Sequence, residues 1–262
     1  MTALRWYASD VWTLTRRDLA HWLARPGVAA VSWLFPIMIL LMFGGLFGGA
    51  IGGPSGRYFE FLVPGMLALT VVFGLETTVT AVATDAAKGV TDRLRSMPTN
   101  ASAVVAGRCL ADLANSVLGL GILVLAGLAV GWRWNHGLVA ALGALCLLVL
   151  LRFALLWLGI YLGLVVKGPE SVAAVQILVW PVAFLSGVFV DPTTMPSWLG
   201  AIASWNPLST TASAVRELSG SPGWGADSYA ARHAVLVAVA SALVLTAVFL
   251  PLSARRYRRL AA

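Results

Sequence analysis

The sequence predicts an all-α polytopic membrane protein, and three observations carry that expectation. Apolar residues make up 59% of the 262-residue chain and charged residues 11%, against about 25% charged in an ordinary soluble domain. Six apolar stretches approach or exceed the roughly 20 helical residues needed to cross a hydrocarbon core about 30 Å thick. The charges lie between these stretches, so the net charge of +7 reads as membrane topology. A nucleic-acid surface would instead gather its basic residues along one polar face.

Residues 1–27 come first. Leu4, Ala8, Val11, Trp12, Thr15, Leu19, Trp22 and Leu23 recur with helical spacing, while Asp10, Arg17, His21 and Arg25 fall opposite them. This pattern predicts an amphipathic helix in the membrane interface, with Trp12 and Trp22 at headgroup depth. Its arginines, Arg16, Arg17 and Arg25, point towards anionic lipid or a cytoplasmic partner. No short apolar core precedes a small-residue cleavage site, so the segment is expected to be retained. Pro26 and Gly27 turn the chain into a membrane domain, 28–253, with predicted spans at 28–50, 61–84, 103–130, 138–166, 171–190 and 234–253. The third and fourth are long enough to tilt. Between the last two spans, 191–230 is too long for a turn and too polar to cross. Within it MPSWLGAIASW, residues 195–205, is about half a span in length and predicts a short extracellular re-entrant helix, with Trp198 and Trp205 suited to the interface. A basic tail, 254–262, ends the chain.

Six spans put both termini on one side. Thirteen of the 18 lysines and arginines lie in the N-terminal arm, the second-to-third loop, the fourth-to-fifth turn and the tail. Only Arg57, Arg133, Arg216 and Arg232 fall on the other side, and Arg152 lies within a span. The positive-inside rule therefore predicts cytoplasmic termini and a cytoplasmic loop at 85–102.

Three ionisable residues stand where lipid penalises charge by about 2.5–3.5 kcal/mol at mid-span: Glu76, Asp112 and Arg152. One reading pairs Arg152 with Glu76 as a structural ion pair; the other makes these groups the lining of a substrate path. Asp112, just inside its span, is also placed to remain in the headgroup region. The first span ends in MFGGLFGGAIGGPSG, whose Gly45–Gly49 and Gly49–Gly53 spacings suit close helix contact, within the chain or between copies. Cys109 and Cys146 read as buried small hydrophobes. The three histidines stand far apart and form no metal motif.

The sequence contains no GxxxxGK[ST], no nucleophile elbow, no selectivity-filter motif and no inverted repeat. Catalysis and P-loop ATP binding by this chain are thereby excluded, and channel and carrier readings are weakened. An ion-coupled carrier using Glu76, Arg152 and Asp112 as a relay, and a structural anchoring subunit, remain as alternatives.

Four segments carry a resemblance: RDLAHWLARPGVAAVSWLFPIMILLMFGGLFGGAI, YFEFLVPGMLALTVVFG, DAAKGVTDRLRSMPTNASAVVAGRCLADL, and PESVAAVQILVWPVAFLSGVFVDPTTMPSWLGAIASWNPLSTTASAVREL. Together they resemble the membrane-spanning permease of ABC-2 type exporters of the daunorubicin-resistance kind. The most specific parts are the D...G..DR.RS.P run and the FLSGVFV...MP.WL......NP run. The resemblance implies a bacterial plasma-membrane permease with six spans, working as two copies, identical or related. It also implies a separate ATP-binding cassette ATPase that holds ATP and Mg, so this chain carries no cofactor of its own. The implied cargo is lipophilic or amphipathic, a drug, antibiotic, polyketide or lipid, with a glycan as the alternative. It further implies that the first cytoplasmic loop couples to the ATPase. The matching residues are Asp85, Lys88, Gly89, Asp92, Arg93, Leu94, Arg95, Met97 and Pro98, whose charges suit charge-assisted contacts and whose Leu94 and Met97 offer apolar anchors.

Overall fold

A computed structural model describes residues 2–24, 26–51, 58–88, 101–166, 168–221 and 228–259. Among them the chain is helical throughout its regular structure: α1 (Thr2–Leu23), α2 (Pro26–Ile51), α3 (Tyr58–Ala87), α4 (Ala101–Ala129), α5 (Gly137–Val165), α6 (Pro169–Phe184), α7 (Ser197–Trp205), α8 (Pro207–Ser219), α9 (Tyr229–Arg232) and α10 (Ala234–Arg259). A 3-10 turn, Pro192–Thr194, precedes α7. Among the described residues five helices are long and apolar enough to cross a membrane: α2, α3, α4, α5 and α10.

The helix predicted over 171–190 stops early, at Phe184. Its 16 residues reach about 24 Å, less than a bilayer core. Leu185–Val190 then runs on as irregular backbone whose polar groups bond to α8: Gly187 N donates to Ser209 Oγ (2.8 Å), and Asn206 Nδ2 donates to the carbonyls of Val182 (3.0 Å) and Leu185 (2.9 Å). Irregular backbone at such depth is stable only when protein satisfies it. The same Asn206 caps α8, its Oδ1 accepting from Leu208 N at 2.9 Å, with Pro207 at the first helical position. Gly220, at φ 71°, closes the other end in the left-handed conformation. The region 191–230 therefore holds α8 in addition to the single short helix that the sequence predicted.

α3 is the hub. It packs on α5 and α8 and also touches α2, α4 and α6, while α10 lies along α5 and α8 and α1 lies along α4. Small residues set the closest approach: a Cβ on Gly163 would stand 2.7 Å from Val82 Cβ, and one on Gly159 would stand 3.0 Å from Thr78 Cβ. Bilayer helices associate by such backbone proximity, since lipid offers no hydrophobic drive between them. The predicted glycine run of α2 splits: Gly44 is backed by Phe59, whereas Gly45, Gly48 and Gly49 meet nothing within 4 Å.

The bundle has two unlike ends. At one, Asp85 pairs with Arg108, Tyr257 packs against the cluster of Val82, Cys109, Leu156, Ile160 and Leu164, and Arg16, Arg17, Lys88 and Arg255 are exposed. This is the basic end. At the other, Tyr58 OH donates to Phe189 O (3.3 Å), Trp132 Nε1 donates to Ser221 Oγ (3.2 Å), and α7, α8 and α9 cluster. Of the two cysteines, only Cys109 is buried; Cys146 is exposed on α5, so its assignment as a buried hydrophobe is corrected.

Candidate functional site

Arg152 sits near the middle of α5 and is 2% exposed. Its Nε donates to Ser116 Oγ (2.8 Å) and its Nη2 to Thr78 Oγ1 (2.9 Å). Nη2 also lies 3.5 Å from Asp112 Oδ2. Thr78 Oγ1 in turn stands 3.0 Å from Asp112 Oδ2, and Ser116 Oγ donates to Asp112 O (2.9 Å). One guanidinium thus ties α3, α4 and α5 together. Gly74 makes room for it, since a Cβ there would stand 2.7 Å from Arg152 Nε.

The partner of Arg152 is therefore Asp112 and not Glu76. The reason is angular: Thr78 faces Arg152, and Glu76 lies two residues away, about 200° round a helix of 3.6 residues per turn. Asp112 is consequently a member of this network. Thr78 and Ser116 were missed from the sequence. Their signal was present, as hydroxyl residues placed one turn from Gly74 and from Asp112.

Glu76 looks the other way. Its Oε1 is buried without a hydrogen-bond partner, and no cation pairs with it among the described residues. Its neighbours form an unusual surface. Between positions 61 and 84 the exposed residues of α3 are Thr77, Thr80 and Thr84, whereas α2, α4, α5 and α10 expose Leu, Val and Met side chains. The threonine hydroxyls donate back to their own helix, Thr77 to Gly74 O, Thr80 to Glu76 O and Thr84 to Thr80 O. Thr80 Oγ1 also accepts from Gln176 Nε2 of α6 at 3.2 Å. Towards the opposite end the α3–α6 seam becomes aromatic: Phe73 and Trp180 lie 5.4 Å apart, and Phe35 of α2 lies 5.4 Å from Phe73.

At the basic end, α1 docks on α4 where Gly107 leaves no side chain. Thr15 Oγ1 lies 3.1 Å from Gly107 O, and a Cβ on Gly107 would stand 2.8 Å from Leu14 Cβ. The predicted apolar face of α1 therefore divides: Thr15 is 2% exposed, while Trp12 stays 63% exposed. Arg16 is exposed, Arg17 pairs with Asp18 (2.9 Å), and Lys88 follows the end of α3, one turn beyond the Asp85–Arg108 pair. Arg25, Gly89, Asp92, Arg93, Leu94, Arg95, Met97 and Pro98 lie outside the described residues.

Arg216 is a further buried charge, which the sequence placed among the outer-side bases. It is 3% exposed, with Nε donating to Phe61 O (3.0 Å), Nη2 to Val188 O (3.1 Å) and its guanidinium carbon 3.6 Å from the centre of the Phe61 ring. It holds the break after α6 against α3. Among the described residues no three His, Cys, Asp or Glu side chains gather to hold a metal ion.

The family model described as "ABC-2 type transporter" matches residues 9–218, a range that includes the docking of α1, the Arg152 network and the Asn206 cap. The chain is 38% identical over 228 residues to the daunorubicin resistance ABC transporter permease protein DrrB1 of Streptomyces coeruleorubidus, covering 86% of this chain and 77% of that protein. It is 25% identical over 225 residues to the putative transport permease ycf38 of Cyanophora paradoxa, covering 83% and 77%. A bundle of long apolar helices, tied near the middle of α5 by a neutralised arginine and matched over most of its length by this family, is accounted for in one way: the chain belongs to the ABC-2 type transporter family, as a membrane-spanning permease.

Proposed function

We propose that this permease moves a lipophilic or amphipathic substrate outward across the bacterial plasma membrane, driven by a separate ATPase and working as a pair of permease copies. The observation that carries the reading is the exposed face of α3. The helix most enclosed by its neighbours presents Thr77, Thr80 and Thr84 beside Glu76, which has no cationic partner among the described residues, where a lipid-facing helix would present aliphatic side chains. Polar and ionisable groups at membrane depth face protein or a water-filled cavity, and two copies meeting across this face would enclose such a cavity. The name of the 38% identical relative supports a drug as the cargo and export as the direction.

In this reading α6 and the irregular Leu185–Val190 together complete a sixth crossing, with α7 and α8 dipping back from the outer surface. Both termini are cytoplasmic, because the basic end carries the arginines and lysines that remain on the inside. The ATPase docks there on the 85–102 loop, with Arg93 and Arg95 making charge-assisted contacts. Its stroke reaches the bundle through the Asp85–Arg108 pair and through α1, which rests on α4 at Gly107. No covalent chemistry takes place in this chain.

A relay of Glu76, Arg152 and Asp112 for an ion-coupled carrier fits less well. Glu76 is separated from the other two by the body of α3, and Arg152 and Asp112 already engage one another. The test is thiol accessibility in the assembled transporter. Cysteine at Thr77 or Thr80 should react with a membrane-impermeant maleimide, and ATP trapped with vanadate should change that reactivity, while cysteine at Leu142 should stay inert. Protection of Thr77 and Thr80 equal to that of Leu142 in every nucleotide state would remove the reading.

A further inference from the structure

Each buried or membrane-depth charge of α3, α4 and α5 has a partner except one. Arg152 has Asp112 and Arg108 has Asp85. Among the described residues Glu76 has none, and its buried Oε1 receives no hydrogen bond from them. A carboxylate held in this way lowers its energy in the bilayer either by taking up a proton or by receiving a cation from outside the chain. Its surroundings favour a cation that carries apolar bulk.

One turn towards the opposite end stand Phe73 and, across the seam, Trp180, with ring centres 5.4 Å apart and an interplanar angle of 49°. Phe35 adds an edge to Trp180 at 6.0 Å. Aromatic faces attract organic cations through their quadrupole. One turn towards the basic end, Gln176 and Thr80 hold each other at 3.2 Å and offer polar groups without a positive charge. Negative charge, aromatic wall and neutral polar edge thus follow one another along a single half-buried seam between α3 and α6, and among the described residues no lysine or arginine is paired with Glu76 to compete for it.

We infer that Glu76 is a specificity-determining residue that accepts an amphipathic organic cation, with Phe73 and Trp180 as its aromatic wall. The inference rests on the reading of the α3 face as the substrate path. It narrows the cargo from any lipophilic molecule to one with a positive charge beside a ring or hydrocarbon body.

The test uses the complete transporter, permease and ATPase together, and two probes of similar shape: tetraphenylphosphonium, a permanent cation, and triphenylphosphine oxide, which is neutral. Binding is measured at equilibrium without nucleotide, and uptake is measured in ATP-loaded vesicles. Glu76→Gln should weaken tetraphenylphosphonium binding by about tenfold or more and leave the neutral probe unchanged, while Glu76→Asp, which keeps the charge, should retain cation binding. Equal effects of Glu76→Gln on both probes, no effect on either, or no binding of the cation by the unaltered protein would overturn the inference. So would failure of Glu76→Gln to insert, since the carboxylate would then serve the fold. Glu76-dependent binding without ATP-driven uptake would leave the cation site standing and overturn the exporter reading instead.

Discussion

Two arginines are buried to nearly the same degree, yet they are kept in opposite ways. Arg152, 2% exposed, is neutralised by a carboxylate and two hydroxyls drawn from neighbouring helices. Arg216, 3% exposed, has no carboxylate within ion-pair distance among the described residues, and rests on two backbone carbonyls and an aromatic face. The first is a cross-brace between regular helices. The second braces a place where helix stops, donating to Val188 O in the break and to Phe61 O on α3. Among the described residues a buried arginine therefore marks either a junction of helices or a break in one.

The comparison is broken most readily at Arg152. Arg152→Met leaves Asp112 without its counter-charge. It should destabilise the purified protein by about 3 kcal/mol, the low end for a broken buried pair because Asp112 keeps 26% of its side-chain exposure. Adding Asp112→Asn should recover much of that loss in thermal unfolding in detergent. No recovery would mean that Arg152 acts by filling space beside Gly74 and not by its charge. Arg216→Lys comes next, at about 2 kcal/mol, because an ammonium cannot span the carbonyls of Phe61 and Val188 as the guanidinium fork does. An aspartate introduced beside Arg216 should not help, since donating to carbonyls and not charge balance is the task. Asn206→Ala should cost about 1 kcal/mol and should act in the same place. Combined with Arg216→Lys, it should give a loss different from the sum of the two, and strict additivity would show that the cap and the arginine serve separate structures.

Much of the architecture could be read from the chain. Hydropathy located every long helix and the amphipathic α1, because lipid imposes a length and a composition that few residues violate. The fifth crossing was overextended, since an apolar run looks the same whether it continues as helix or turns irregular at Ser186 and Gly187. α8 was overlooked because it is buried through hydroxyls, Ser209, Thr210 and Thr211, which hydropathy counts as polar. Asn206 stood in the NP motif that carried the family resemblance, but its double role, capping α8 while donating to the end of α6, depends on two segments meeting in space. The partner of Arg152 was left open for a similar reason. Two acids were near it by depth, and only the rotation of α3 decides which one faces it.

The seat of α1 on Gly107 has a mechanical consequence. Where two helices touch through long side chains, a displacement of one is partly absorbed by rotamer changes before the other responds. At Gly107 a threonine hydroxyl meets a main-chain carbonyl with a leucine Cβ pressed close, so there is little slack to absorb anything. A nudge on α1 of even an ångström must be taken up by the main chain of α4, five residues before Asp112.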